Sequence, residues 1–354
     1  MVMITLYNLI GNGMDRVEFH ALSKLLAKYL AFIYIYLLIL QITMLVSVKG
    51  RRLYRHLRFY LTNGTISAEV ILMIANKLGI IEKGQDGAIF NKYLFRFNAK
   101  GACAVYQLDD LSDNSVPISR FMLDKYDIIA PHSNSVAFSN TRYCETDEFP
   151  LLYSNVYNNY AKTDSPMKGV TCVYRLERSG NMFSTTLLQL IEIGFTEDTV
   201  WKSSNGIDVR PYGNFAIDAN NGRYYAFTMR DEDKTTRYFT FDLPNINDGT
   251  YDDSFGVKRV VLSKEDIRSF FDCEYHRYVQ GACFRNGIIY SLEGFTDSEI
   301  NPPAIRFIDV NKQKQDRLYY FADCNMHIEP EFIDFENETC YYADHDGNVF
   351  ALCF

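Results

Sequence analysis

Downstream of Met73, short apolar and aromatic runs alternate with polar turns roughly every 8–12 residues, the pattern of an all-β chain. Five stretches open alike, with a polar residue, a small residue and then an apolar run. They are Asp86-Gly87-Ala88-Ile89-Phe90, Asn134-Ser135-Val136-Ala137-Phe138, Tyr212-Gly213-Asn214-Phe215-Ala216, Gln280-Gly281-Ala282-Cys283-Phe284 and Glu329-Pro330-Glu331-Phe332-Ile333. The first and fourth match most closely; the third and fifth are looser. The period is roughly 45–70 residues, which marks a repeat architecture. A turn and a second strand are predicted after each opening, as in KYLFRFN, RYYAFTM, IIYSLEG and TCYYADH. A third follows in ACAVYQL, VTCVYRL, RYFTFDL, AIRFIDV and NVFALCF, and a fourth in TTLLQLIEI and RLYYFAD. Asn220-Asn221-Gly222 and Asp346-Gly347 are hairpin-turn sequences between strands.

Five units of four strands predict a five-bladed β-propeller over residues 73–354. The fifth unit has three strands, and Leu78-Gly79-Ile80-Ile81 is expected to supply its fourth and close the ring. The second unit is long, so counts of four or six blades stay open. Small residues at the openings suit inner strands crowded around an axis.

Residues 1–72 read differently. The run 29–48 carries no charged side chain and is long enough for a membrane-spanning helix. Lys49, Arg51, Arg52, Arg55 and Arg58 follow it, which would put the propeller on the cytoplasmic side. A competing reading starts translation at Met73. Glu69-Val70 can be encoded by codons that contain a ribosome-binding core, and the composition of 1–72 resembles translated AT-rich non-coding DNA. A third reading packs the apolar run on the propeller as a buried helix.

Composition narrows the function classes. The chain of 354 residues has a formal net charge of −8, which argues against sequence-independent nucleic-acid binding. Its 26 Tyr and 26 Phe favour strands. The eight cysteines show no CxxC spacing, and most sit inside apolar runs, so buried free thiols of a reducing cytoplasm are expected rather than disulfides or zinc.

The openings place Asp86, Asn134, Tyr212, Gln280 and Glu329 in one ring at a channel mouth. Two residues earlier stand His132, Arg210, Tyr278 and His327. Converging carboxylate, amide, imidazole and guanidinium groups suit a polar or carbohydrate-like ligand. The bland alternative is that they satisfy one another and channel water. Catalysis on glycans would need paired carboxylates, available from Asp86, Asp208, Glu293, Glu329 and Glu331. No GxSxG, P-loop or HExxH sequence is present, and no cofactor is expected. His327 and Glu329 joined by His132 or His276 offer metal ligands, but their spacing is uninformative and no metal is expected. Asp344-His345-Asp346-Gly347 is predicted as a hairpin turn rather than a calcium loop.

The repeated openings and the exchanged terminal strand, over about residues 76–354, resemble uncharacterised bacterial five-bladed β-propeller proteins in architecture. Several glycosidase families share that architecture and use three carboxylates; the resemblance to them does not extend to their motifs. It implies a fold and not a function. Two functional readings stand: a binding or interaction module for a small polar ligand or a partner loop, and a glycan-acting hydrolase or lyase. A membrane partner requires residues 1–72 to be part of the chain.

Overall fold

The computed structural model describes residues 53–62, 65–129, 131–156, 170–194, 214–230, 235–274 and 278–354. The chain divides into two compact units, Met1–Leu53 and Tyr54–Phe354, and the second is the propeller. Two strands lead in, β1 (Leu53–Thr62) and β2 (Thr65–Ile80). The first blade is β3 (Gly87–Phe90), β4 (Tyr93–Phe97), β5 (Ala102–Gln107) and β6 (Ser119–Met122), followed by a single turn of helix, α1 (Tyr126–Ile129). The second holds β7 (Val136–Phe138), β8 (Leu152–Asn155), β9 (Val170–Ser179) and β10 (Met182–Ile193). The third is β11 (Phe215–Asp218), β12 (Arg223–Arg230), β13 (Thr235–Asp242) and, after the hairpin β14 (Thr250–Asp252) and β15 (Val257–Leu262), the strand β16 (Ser269–Glu274). The fourth is β17 (Val279–Arg285), β18 (Ile288–Glu293), β19 (Ala304–Asp309) and β20 (Lys314–Tyr320). The fifth is β21 (Pro330–Glu336), β22 (Thr339–Asp344) and β23 (Asn348–Cys353).

Each blade forms its own sheet, which gives five sheets. The fifth is completed from the other end of the propeller: β2 lies antiparallel to β23, with Ile74 opposite Cys353 and Ile80 opposite Asn348. The expected strand at Leu78–Ile81 is thus the tail of a longer one, and β1 adds beyond it. An unpaired β23 would present a row of bare amides and carbonyls, and β2 satisfies them.

The sequence reading placed an apolar helix in the N-terminal segment. The run 29–48 lies outside the described residues, while 53–62 and 65–72 are strand, not helix. Among the described residues no helix is long and apolar enough to cross a membrane.

The hydrophobic core divides by blade interface, and this gives a second count of five. Side chains of successive strand residues point to opposite sheet faces. Accordingly Phe95, Phe97, Cys103 and Val105 pack with the second blade, while Leu94, Ala104 and Tyr106 pack with the fifth. Aromatic rings fill the wide gaps: Phe95 and Phe149 meet edge to face at 5.6 Å between centroids, a geometry their quadrupoles favour. Six of the cysteines are buried and all are free; Cys144 and Cys353 are exposed.

The second blade receives an addition from the third. Hairpin β14–β15 leaves its own blade and extends the second one, β15 running parallel to β10 from Gln189–Lys258 to Ile193–Leu262. It covers an edge that would otherwise be open. The buried Gln189 amide pins it by donating to Asn245 O at 2.8 Å. Asn220-Asn221-Gly222 and His345–Gly347 do turn hairpins. Gly222 has φ of 59°, a left-handed conformation that suits glycine.

Candidate functional site

The five inner strands are β3, β7, β11, β17 and β21, and each touches the next around the ring. They start at one end of the axis, here termed the leading end, and finish at the trailing end. Blades one and four, or two and four, are not ring neighbours, so any bond between them crosses the axis. Asn134 Nδ2 donates to Gln280 Oε1 at 3.5 Å in such a crossing. Gly281 faces Asp86 in another: a Cβ on it would lie 2.7 Å from Glu331 O and 3.4 Å from the Asp86 carboxylate.

Lateral bonds complete a plug at the leading end. Asp86 Oδ2 accepts from Val136 N at 2.9 Å and Ser135 Oγ from Phe215 N at 3.3 Å. Asn214 donates to Val279 O at 3.0 Å and accepts from Asn155 Nδ2 at 3.1 Å. Gln280 Nε2 donates to Glu329 Oε1. Asp86 and Asn134 are 0 and 1 % exposed, so they close the channel rather than line an open mouth. Burial drives the Asp86 carboxyl well above the usual carboxylate range.

Of the residues singled out from the sequence, Asp86, Asn134, Gln280 and Glu329 come together here. Tyr278 packs its ring against Phe295, with centroids 4.3 Å apart. His132 is half-buried, and desolvation pushes its imidazole down to about 4. His327 is exposed. Arg210 and Tyr212 lie outside the described residues, as do Asp208, His276 and Trp201.

The sequence reading gave no place here to Ser135, Asn155, Asn214, Arg96 and His345. Arg96 had a visible signal, a lone cation in the apolar run of β4. It is 2 % exposed and its Nη2 donates to Gly84 O and Asp344 O, both at 2.9 Å. Burial pulls the guanidinium down, while the charges of Glu331, Asp86 and Asp344 oppose that; an arginine stays cationic throughout. Arg306 in β19 of the fourth blade is a second buried arginine, paired with Glu293 at 2.7 Å.

In the fifth blade the loose alignment misplaced the inward carboxylate. The most buried one is Glu331, at 1 % exposed, with Glu329 beside it and half-buried. Glu331 Oε1 meets His345 Nδ1 at 2.9 Å and accepts from Gln85 Nε2 at 3.2 Å. Its hydrogen bond to Glu331 raises the His345 imidazole above its ordinary value. Burial, and then the Glu331 charge, pushes Glu329 up to about 7. Several buried polar atoms here have no protein partner among the described residues: Asp86 Oδ1, Asn134 Oδ1, Glu331 Oε2, and Nε and Nη1 of Arg96.

The trailing end differs. All five inner strands contribute to a cavity of about 340 Å³, lined by Phe90, Phe138, Ser139, Asp218, Asn220, Arg285, Asn286 and Asp334 among others. Asp218 is occupied by its own hairpin, accepting from Asn221 Nδ2 at 2.7 Å, and Asp334 accepts from Ile89 N at 2.7 Å.

Fold and site together define a five-bladed β-propeller whose axis is closed by polar side chains at one end and open at the other. No protein-family model matches the chain. No curated protein matches it in sequence. Among solved structures, glutaminyl cyclase of Myxococcus xanthus aligns with a TM-score of 0.40 and 8 % identity, covering 78 % of this chain and 98 % of that one. The computationally designed Ika8 protein aligns at 0.30 and 10 %, covering 78 % and 99 %. Sqt1 of Saccharomyces cerevisiae aligns at 0.31 and 8 %, covering 84 % and 65 %.

Proposed function

We propose that the chain is a binding module whose ligand is small and polar, taken at the leading end of the axis beside Gln280, Glu329, Glu331 and His345. The observation that carries this reading is the set of unmatched buried polar atoms. Carboxylate, amide and guanidinium atoms without a hydrogen-bond partner among the described residues are concentrated in one place, and such atoms are costly unless water or a ligand meets them. Both signs of charge are offered, which suits a sugar acid or another hydroxylated, charged small molecule. The net charge of −8 disfavours nucleic acid as the partner. Six buried free cysteines are what supports a cytoplasmic setting.

Among the described residues the glycan-hydrolase alternative narrows to one pair of the candidate carboxylates. Glu293 is held by Arg306 and Asp86 is sealed in the plug, which leaves Glu329 and Glu331. Calorimetric titration of the full-length chain with sugars, sugar acids and nucleotides tests the binding reading. The expected result is saturable binding by one class, weakened in Gln280→Ala and unchanged in Asn220→Ala at the trailing end. Binding that follows Asn220→Ala instead would move the site to the other end, and no binding would leave a protein partner as the better reading.

A further inference from the structure

We propose that Glu329, Glu331 and His345 hold a divalent first-row transition-metal ion. This deepens the reading of the leading end as a ligand site and rests on it. One oxygen from each glutamate and one imidazole nitrogen all lie within 4.8 Å of one another. An ion placed among them needs metal–ligand distances of about 2.0–2.2 Å, which side-chain rotation brings within reach.

The three donors come from one hairpin. Glu329 and Glu331 stand two residues apart at the start of β21, and His345 follows β22. The backbone joins the two arms, His345 N donating to Glu329 O at 2.8 Å. The donors are therefore gathered by the fold before any ion arrives.

A second observation points to a ligand. Glu331 is 1 % exposed, yet its Oε2 has no hydrogen-bond partner among the described residues. A buried carboxylate oxygen without a donor is destabilising, and a cation supplies what it lacks. One further oxygen of each glutamate already has an orienting partner: Gln85 on Glu331 Oε1 and Gln280 on Glu329 Oε1. Partners of that kind fix ligand direction in metal sites. The half-exposed His345 ring leaves a path from solvent.

Chemistry selects the ion class. Carboxylate oxygens alone suit magnesium, calcium or manganese, and an imidazole donor shifts preference towards zinc, iron or nickel, so a mixed set points to a transition metal. The ion replaces the present His345–Glu331 hydrogen bond. Three protein donors leave coordination positions open, so the oxygen of a polar ligand can complete the sphere.

The test is calorimetric titration of the chelator-treated, full-length chain with ZnCl2 and with MnCl2, without organic ligand. About one ion per chain is expected. Glu331→Gln and His345→Gln should each weaken binding by roughly tenfold or more, while His327→Ala, on the surface nearby, should not. Circular dichroism of each variant establishes that it is folded, and the surface-accessible His345→Gln serves if Glu331→Gln is not. Failure of both ions to bind, or equal binding by folded His345→Gln, overturns the metal site. The polar-ligand titration is read separately, so its success alongside that failure would remove the ion and keep the binding module.

Discussion

The two ends of the propeller axis are built by the same five inner strands, yet one is plugged and the other holds a cavity of about 340 Å³. At the leading end, Asp86, Asn134, Ser135, Asn214 and Gln280 spend their side chains on other blades. At the trailing end, Asp218 turns back to its own hairpin, while Arg285 pairs with Glu338 of the adjoining fifth blade at 2.7 Å and Asp334 accepts from Ile89 N of the first. Short polar side chains on converging strands find partners across the axis, whereas Asp218, beside its turn, finds one locally. The leading end thus ties blades together across the axis, whereas the trailing-end bonds among the described residues join ring neighbours and leave the axis open.

That contrast can be broken by mutation, and the largest effect is expected at Arg96. Arg96→Leu leaves Glu331 and Asp86 without their buried counter-charge and should cost ~3–5 kcal/mol of unfolding free energy in a denaturant titration. Combining it with Glu331→Gln should recover part of that loss. Next comes Gly281→Val, whose Cβ would stand 2.7 Å from the Glu331 carbonyl; overpacking of this kind should cost ~1–3 kcal/mol. Asn214→Ala removes the bonds to Val279 and Asn155 and should cost about 1–2 kcal/mol, since it strands buried partners.

Asp86 sharpens the comparison through pH. Its carboxyl is held above its ordinary value of 3.8 by burial, so the folded state binds the proton more tightly than the unfolded state. Its contribution to stability is therefore full below 3.8 and declines as pH rises towards the folded value. Asp86→Asn keeps an acceptor for Val136 N and cannot ionise. The melting temperature of the variant should gain on the parent chain as pH rises from 4 to 8, and a constant difference would refute the burial argument. The smallest effect belongs to the trailing end: Asn220→Ala should change stability by no more than about 0.5 kcal/mol.

Much of the fold was legible because a strand declares itself locally. Period-two alternation and turn residues marked β4, β5, β9, β12, β18, β19, β22 and β23. The closing strand was legible too, because a three-stranded last unit left an edge to be filled. The short β8, only Leu152–Asn155, was not located, since four residues carry little pattern. The hairpin β14–β15 was missed for another reason: its partner β10 lies in another blade, and nothing local encodes a parallel pairing across that distance.

For the site, the repeated openings identified Asp86, Asn134 and Gln280 as members of one group, and the chain alone sufficed for that. Repetition places equivalent residues at equivalent positions around an axis. Whether that ring is open or plugged was decided by tertiary structure, because it depends on how far side chains reach between blades that never adjoin in sequence. The bulge of β21 between Pro330 and Phe332 accompanied a misalignment in the fifth opening and put Glu331 in the buried position. His345 appeared in sequence only as part of a hairpin turn; folding of β22 back along β21 brought it to Glu331. The sequence by itself determined an all-β repeat with five similar units. Only the assembled ring determined which polar groups are buried together, since burial and partnership belong to pairs of residues and not to either one alone.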